Sequence, residues 1–111
     1  MNALVSIITP SYNSAKFIAE TIQSVQNQTH QNWEMIIVDD GSSDETENVV
    51  LSIIQKDKRI QFHKLSQNFG PGVARNFAIQ QAKGNYIAFL DSDDLWKPEK
   101  LNKQLQFMEE E

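Results

Sequence analysis

The stretch YIAFLDSDDLWKPEK, residues 86–100, carries an apolar run directly into three carboxylates, Asp91, Asp93 and Asp94. A second acid pair, Asp39 and Asp40, closes another apolar run, WEMIIVDD. Oxygen-only donors, with no cysteine and only the isolated His30 and His63 to offer nitrogen, suit a hard cation such as Mg2+ or Mn2+ better than zinc. If the strand continues through the acids, Asp91 and Asp93 project from one face, and Ser92 and Asp94 from the other. Two ionised carboxylates about 6 Å apart repel by roughly 3 kcal/mol at an effective dielectric of about 20, and by under about 1 kcal/mol in open water. A partly buried edge therefore demands a cation or a raised pKa. An open edge demands neither, and the acids then form a solvated loop that caps the next helix.

The bulk composition narrows the ligands. With 111 residues the chain has the size of one domain with a single core. A formal net charge of −5 and a pI near 4.9 argue against nucleic acid and anionic membrane as partners, because both need a basic face. An anionic ligand would need a bridging cation. The lack of cysteine excludes disulfides and thiolate metal sites and is compatible with a reducing compartment. Apolar runs fall far short of the roughly 20 residues that span a bilayer. MNALVSIITP lacks a basic start and a long apolar core, so it reads as a first strand rather than a signal peptide. The expectation is a soluble cytosolic chain.

Elements that could position the acids recur along the chain as β-branched run, turn and amphipathic segment, the pattern of βα units in a parallel sheet. LVSIITP is the first strand, and Phe17, Ile18, Ile22 and Val25 then fall on one helical face. WEMIIVDD is the second strand. GSSDETENVVLSIIQK opens a helix with a capping pattern at Ser42 and Glu45, turning Val49, Val50, Ile53 and Ile54 to the sheet. RIQFHKL is a third strand and QNFGPG its loop, before a helix over 73–82 that stops near Gly84. YIAFL is the fourth strand, and Pro98 occupies the first position of a last helix carrying Leu101, Leu105 and Met108. Right-handed crossovers place all strand carboxyl ends at one edge of such a sheet, where ligands of open α/β sheets bind. The loops TPSYN, DDGSSD, QNFGPGVARN and DSDD all meet there.

Other motifs fit poorly. GSSDET lacks the Gly-Lys-Ser/Thr ending of a P-loop, and neither acid cluster has EF-hand spacing. GPGVAR starts like a dinucleotide fingerprint, but its third glycine is missing and Pro71 has no N–H for a pyrophosphate. His30 and His63 have no partner spacing and read as structural or surface residues, and Trp33 and Trp96 as packing residues.

Taken in order, VSIITPSYN, IIVDDGSSDET, NFGPGVARNFAI, AKGNYIAFLDSDD and the Trp96–Pro98–Leu101 pattern resemble the N-terminal nucleotide-sugar-binding half of the inverting family 2 glycosyltransferases. The resemblance covers residues 3–108. It implies the GT-A fold, a Rossmann-like three-layer α/β/α architecture with a mostly parallel sheet. It further implies that Asp93 ligates a Mn2+ or Mg2+ bridging the donor diphosphate, with Asp91 beside it facing the ribose and Asp94 a lesser contributor. By the same resemblance Asp40 accepts from a uracil-type N3–H with Asp39 in support, Pro10 and Tyr12 line the base pocket, and Arg75 is the basic residue near the nucleotide.

Members of that family continue well beyond this length, and their second half carries the acceptor pocket and the general base. The resemblance thus implies that residues 1–111 are a donor-binding domain cut before the acceptor half, inactive alone, with its base beyond residue 111. It implies a partner in a nucleotide-diphosphate sugar, a uridine diphosphate sugar first of all, with transfer to a saccharide or other acceptor. Self-association through surface left open, and a cytoplasmic place at the inner face of the membrane for the full-length protein, complete the expectation. The alternative is a nucleotide-binding or protein-interaction module without transferase activity. A phosphoacceptor receiver module is disfavoured, since no lone Asp follows the third strand and no Lys is suitably placed.

Overall fold

The apolar runs are consecutive rather than alternating where the sheet is covered on both faces, at its two central strands. In the computed structural model, which describes residues 2–109, these runs become β1 (Val5–Ser11), β2 (Trp33–Asp39), β3 (Ile60–Lys64) and β4 (Tyr86–Phe89). Between and after them lie α1 (Ile18–Gln26), α2 (Thr46–Ile54), α3 (Pro71–Gln81) and α4 (Lys100–Glu109). The four strands pair in parallel in the order β3-β2-β1-β4. Register is fixed by Val5 opposite Trp33 on one side of β1 and opposite Tyr86 on the other.

On one face Val5, Ile7, Met35 and Ile37 pack against Ile18, Ile22 and Val25 of α1, Val50 of α2, and Leu101 and Leu105 of α4. On the other, Ile8, Ile36 and Val38 meet Ala74 and Ala78 of α3. Each buried isoleucine contributes about 1.5–3 kcal/mol from the water it sheds. Small alanines let α3 sit close. Gly84 permits a similar closeness, since a Cβ there would stand 2.7 Å from the Leu4 carbonyl and 2.8 Å from the Ser6 nitrogen. The three-layer α/β/α architecture with a parallel sheet is therefore as expected. No helix among the described residues is long and apolar enough to cross a membrane.

Several local expectations need correction. Phe17 lies just before α1 and is half-exposed, while Thr21 takes the place it was expected to fill on the buried face. The start of α2 is not closed by Ser42 and Glu45: the Thr46 N–H and hydroxyl both donate to Asp44 Oδ1, and Ser42 turns back to Asp39. The third helix begins at Pro71, two residues ahead of the expected start, because the missing N–H of proline costs nothing at a helix N-terminus. Pro98 precedes α4 instead of opening it, and Met108 stays partly exposed where Leu101 and Leu105 are buried. The histidines are structural, with His30 Nε2 2.8 Å from the Ala3 carbonyl and His63 edge-on to Phe77. Trp33 is buried under the Arg59 guanidinium, 3.8 Å from its ring centroid, and Trp96 packs against the larger core.

Candidate functional site

All four strands end at one edge, and the chain after each must turn there. The turns are stitched together by side chains. Asn13 holds the left-handed backbone conformation (φ 48°), which asparagine tolerates better than most residues, and it faces the turn after β2. Its N–H donates to Ser42 Oγ at 2.7 Å, and its Oδ1 accepts from the Ser43 N–H at 2.9 Å. Gly41 (φ +79°) lets the same turn touch the loop after β3, where a Cβ would stand 2.7 Å from the Gln67 carbonyl carbon.

Asp39 and Asp40 serve different ends. Asp39 is fully buried, and both its oxygens accept from Ser42, one from the N–H at 2.7 Å and one from the hydroxyl. It closes its own turn and is not among the residues that line the cleft. Asp40 is also buried, and its oxygens accept from the Phe69 N–H at 2.8 Å and the Gly70 N–H at 2.9 Å. Those bonds draw residues 68–70, and with them the start of α3, to the site. An ionised carboxylate has about four lone-pair positions, so Asp40 keeps acceptor capacity towards the cleft it lines. Burial opposes the charge of nearby Asp44, but donors from the Thr46 hydroxyl and N–H and the Ala15 N–H outweigh it and hold that carboxyl below the ordinary carboxylate range.

Between these turns lies a cleft of about 390 Å³. Pro10, Tyr12, Phe17, Asp40 and Asn68 line it together with Pro71 and Arg75 of α3 and with Asp91, Ser92 and Asp93. Tyr12 and Phe17 are 49% and 51% exposed, so their rings offer flat apolar surface to a planar ligand. Arg75 has no ion pair among the described residues, and its guanidinium lies 5.9 Å from the Phe89 ring centroid.

The acidic stretch departs from strand geometry. β4 ends at Phe89, and the Asp94 N–H donates to the Asp91 carbonyl at 3.1 Å, so Asp91–Asp94 is a turn and not an alternating continuation. Asp91 and Asp93 nevertheless share the cleft, whereas Asp94 borders a neighbouring opening with Arg75, Phe89 and Asp91. All three acids are exposed, so water reduces their repulsion to under about 1 kcal/mol. Among the described residues no group of three His, Cys, Asp or Glu side chains stands close enough to hold a metal alone. Asp91 and Asp93 fit a hard divalent ion as two carboxylates at an open cleft, with water and ligand oxygens completing its shell.

Of the expected site residues, Pro10, Tyr12, Asp40, Arg75, Asp91 and Asp93 thus meet at one cleft. Sequence reasoning missed Phe17, Asn13, Asn68 and Ser92 there. Asn13 had a legible signal, a turn-forming residue two positions after a strand, but the others had none of comparable strength.

The model of glycosyl transferase family 2 matches residues 6–111. A Bacillus subtilis (strain 168) protein named as a teichuronic acid biosynthesis glycosyltransferase, TuaG, is 53% identical over 107 residues, covering 96% of this chain and 42% of that protein. The chain therefore spans less than half the length of this relative. Among solved structures, S. aureus TarS 1–349 in complex with UDP-GlcNAc superposes with a TM-score of 0.87 at 35% identity, covering 96% of this chain and 31% of that one. The mannosyltransferase PcManGT from Pyrobaculum calidifontis, in complex with GDP-Man and Mn2+, gives 0.80 at 26% identity over 86% of this chain and 29% of its own.

Proposed function

The chain belongs to glycosyl transferase family 2, and from that we propose that residues 1–111 hold the nucleotide-diphosphate end of a sugar donor for inverting transfer to a saccharide or other acceptor. The observation that carries this reading is the gathering of two exposed aromatic rings, a buried acid, an arginine and two exposed acids in one cleft at the carboxyl edge of the sheet. Open α/β sheets bind nucleotides at that edge.

In this reading the base lies against Pro10, Tyr12 and Phe17, and the spare acceptor capacity of Asp40 meets an imide N–H, which uracil has and adenine lacks. Arg75 opposes the phosphates, Asp91 faces the ribose, and Asp93 holds a Mn2+ or Mg2+. The complex of PcManGT with Mn2+ supports a divalent ion, and that of TarS supports a uridine diphosphate sugar, while the GDP-Man of PcManGT keeps guanine as the alternative base. Such an ion, when bound, supplies Lewis-acid stabilisation to a departing diphosphate. The protein carries a net charge of −5, so a cation also offsets the repulsion of an anionic donor. Transfer needs in addition a carboxylate base within hydrogen-bond reach of the acceptor hydroxyl, a role assigned to no residue of this chain. The reading places the site on the cytoplasmic side, at the membrane's inner face in the full-length protein.

Calorimetry of uridine diphosphate with and without Mn2+ tests it. The pair together should stabilise the fold by about 2.7 kcal/mol at a hundredfold excess over the dissociation constant, and neither alone should match it. Asp93→Asn should abolish the metal-dependent part, and Asp94→Asn should leave most of it. Equal binding of uridine and adenosine diphosphates, or a metal effect that survives Asp93→Asn and vanishes with Asp94→Asn, would refute the assignment.

A further inference from the structure

Ser92, the residue between the two cleft acids, is held from beneath by two hydroxyls that arrive from a distant part of the chain. Its Oγ lies 2.6 Å from Ser14 Oγ, and its carbonyl accepts from the Thr21 hydroxyl at 2.9 Å. Thr21 is fully buried on α1, and Ser14 is 4% exposed. Neither helix packing nor a cap requires a hydroxyl at either place: Thr21 sits among Ile18, Ile22 and Val25, where an apolar side chain of the same volume would fill the space.

The protons of this cluster can be assigned. Ser14 Oγ lies 3.3 Å from the Tyr12 carbonyl, a pure acceptor, and 3.3 Å from Ser11 Oγ. If the single Ser14 proton goes to Tyr12, then Ser11 and Ser92 both donate to Ser14, and every hydroxyl has one donor role. Ser14 is anchored in turn, because its N–H donates to Thr46 Oγ1 at 2.9 Å, and the Thr46 hydroxyl donates to Asp44. On the other side of Ser92, the Leu90 N–H donates to the Ile8 carbonyl at 3.0 Å. The turn bearing Asp91 and Asp93 is thus fastened to β1 before it and to the β1–α1 segment at its centre, while the acids themselves carry no such restraint.

We infer that Ser14 and Thr21 are positioning residues that latch the Asp91–Asp93 turn through Ser92, setting the cation end of the cleft in register with its base end. This inference rests on the donor-site reading above for the purpose of the latch, though not for its existence. Loss of one such bond should weaken the latched arrangement about three- to tenfold, the equilibrium equivalent of a typical buried hydrogen bond.

The test compares Thr21→Val, Ser14→Ala and Ser92→Ala with the unmutated chain and with Thr21→Ser, which keeps the donor. Two measurements are made: uridine diphosphate affinity with and without Mn2+, and NMR-read amide exchange, without ligand, of Asp94, whose N–H closes the turn onto the Asp91 carbonyl. The latch predicts that Thr21→Val, at a buried residue outside the cleft, loses about three- to tenfold of the affinity gained with Mn2+ while its metal-free affinity stays within about twofold, that Ser14→Ala and Ser92→Ala, at residues that also line the cleft, lose the Mn2+ gain as well, and that Thr21→Ser retains it. It also predicts exchange faster by a similar factor in the turn and unchanged in β1. An equal loss with and without metal in Thr21→Val, or unchanged exchange in the turn of any variant that folds, overturns it. Should the unmutated chain gain no affinity from Mn2+, the donor-site reading fails, and the ligand-free exchange still decides the latch by itself.

Discussion

Asp40 holds one loop to another, and Asp40→Asn measures how much. Asparagine keeps the shape and one acceptor oxygen but turns an NH2 towards one of the two amides, Phe69 N–H or Gly70 N–H, that the carboxylate now accepts. A hydrogen bond to a charged group contributes about 1.5–3 kcal/mol, and a buried N–H left unpaired costs about 1–3 kcal/mol. Phe69 is exposed and Gly70 half-buried, so water recovers part of the loss and the lower end applies, about 2 kcal/mol in all. With a urea m-value of about 1–1.5 kcal/mol/M for a small domain, the unfolding midpoint should fall by about 1.3–2 M at unchanged slope. Urea titration followed by tryptophan fluorescence reads this directly, through the buried Trp33. A midpoint within about 0.3 M of the unmutated protein would show that Asp40 does not fasten the loop, and the cleft wall it builds would need another explanation. Base preference should be compared well below the variant's transition, since a partly unfolded variant loses affinity for every nucleotide alike.

Gly84→Ala would drive a Cβ to 2.7 Å from the Leu4 carbonyl and should destabilise by about 1–3 kcal/mol, with Asn85→Ala, which removes only the acceptor for the Leu4 N–H, costing less in the same urea titration. Asp57, hydrogen-bonded first of all by Arg59, is held down to about 2 from an ordinary 3.8, so its stabilisation is present above pH 3.8 and lost as the pH falls through about 2. Discounted for the 36% exposed Arg59 side chain, the gap between the unmutated chain and Asp57→Asn should be about 1 kcal/mol at pH 6 and should close between pH 4 and 2; a gap that widens on acidification contradicts the pairing. The β4 edge exposes Ile87 and Phe89, and sedimentation should show self-association that Phe89→Lys reduces, whereas a strict monomer at high concentration refutes it.

The sheet and its cleft were legible because each buried strand wrote a short β-branched run and each turn wrote a polar signature at a strand end. The positions of Pro10, Tyr12, Asp40, Arg75, Asp91 and Asp93 followed from that edge together with a family resemblance. What stayed hidden depended on contacts between distant residues. Alternation put Asp91 and Asp93 on one face of a strand, yet they share the cleft because a turn replaces that strand. Asp39 and Asp40 are adjacent and alike in sequence, and only the locations of Ser42 and of the Phe69 and Gly70 amides separate a turn-closing acid from a loop-fastening one. Phe17 matched the helical period of Ile18, Ile22 and Val25, but the helix begins one residue after it, which frees the ring for the cleft. Hydroxyl pairs such as Ser14 with Ser92 have no periodic signature at all.

The strand order β3-β2-β1-β4 has a consequence in time as well as in space. β1, β2 and β3 pair with neighbours next in the chain, whereas β4 must return past both helical crossovers to find β1. Closing so long a loop is entropically slow, so β4 should dock late in folding, and a strand of four residues at an edge should also be among the first to open. The aromatic rings of the cleft would be in place before the acids arrive and stay after they leave. A ligand that bridges both ends of the cleft would then act as a clasp on the last piece to assemble, slowing its release most strongly in the segment that carries Asp91 and Asp93.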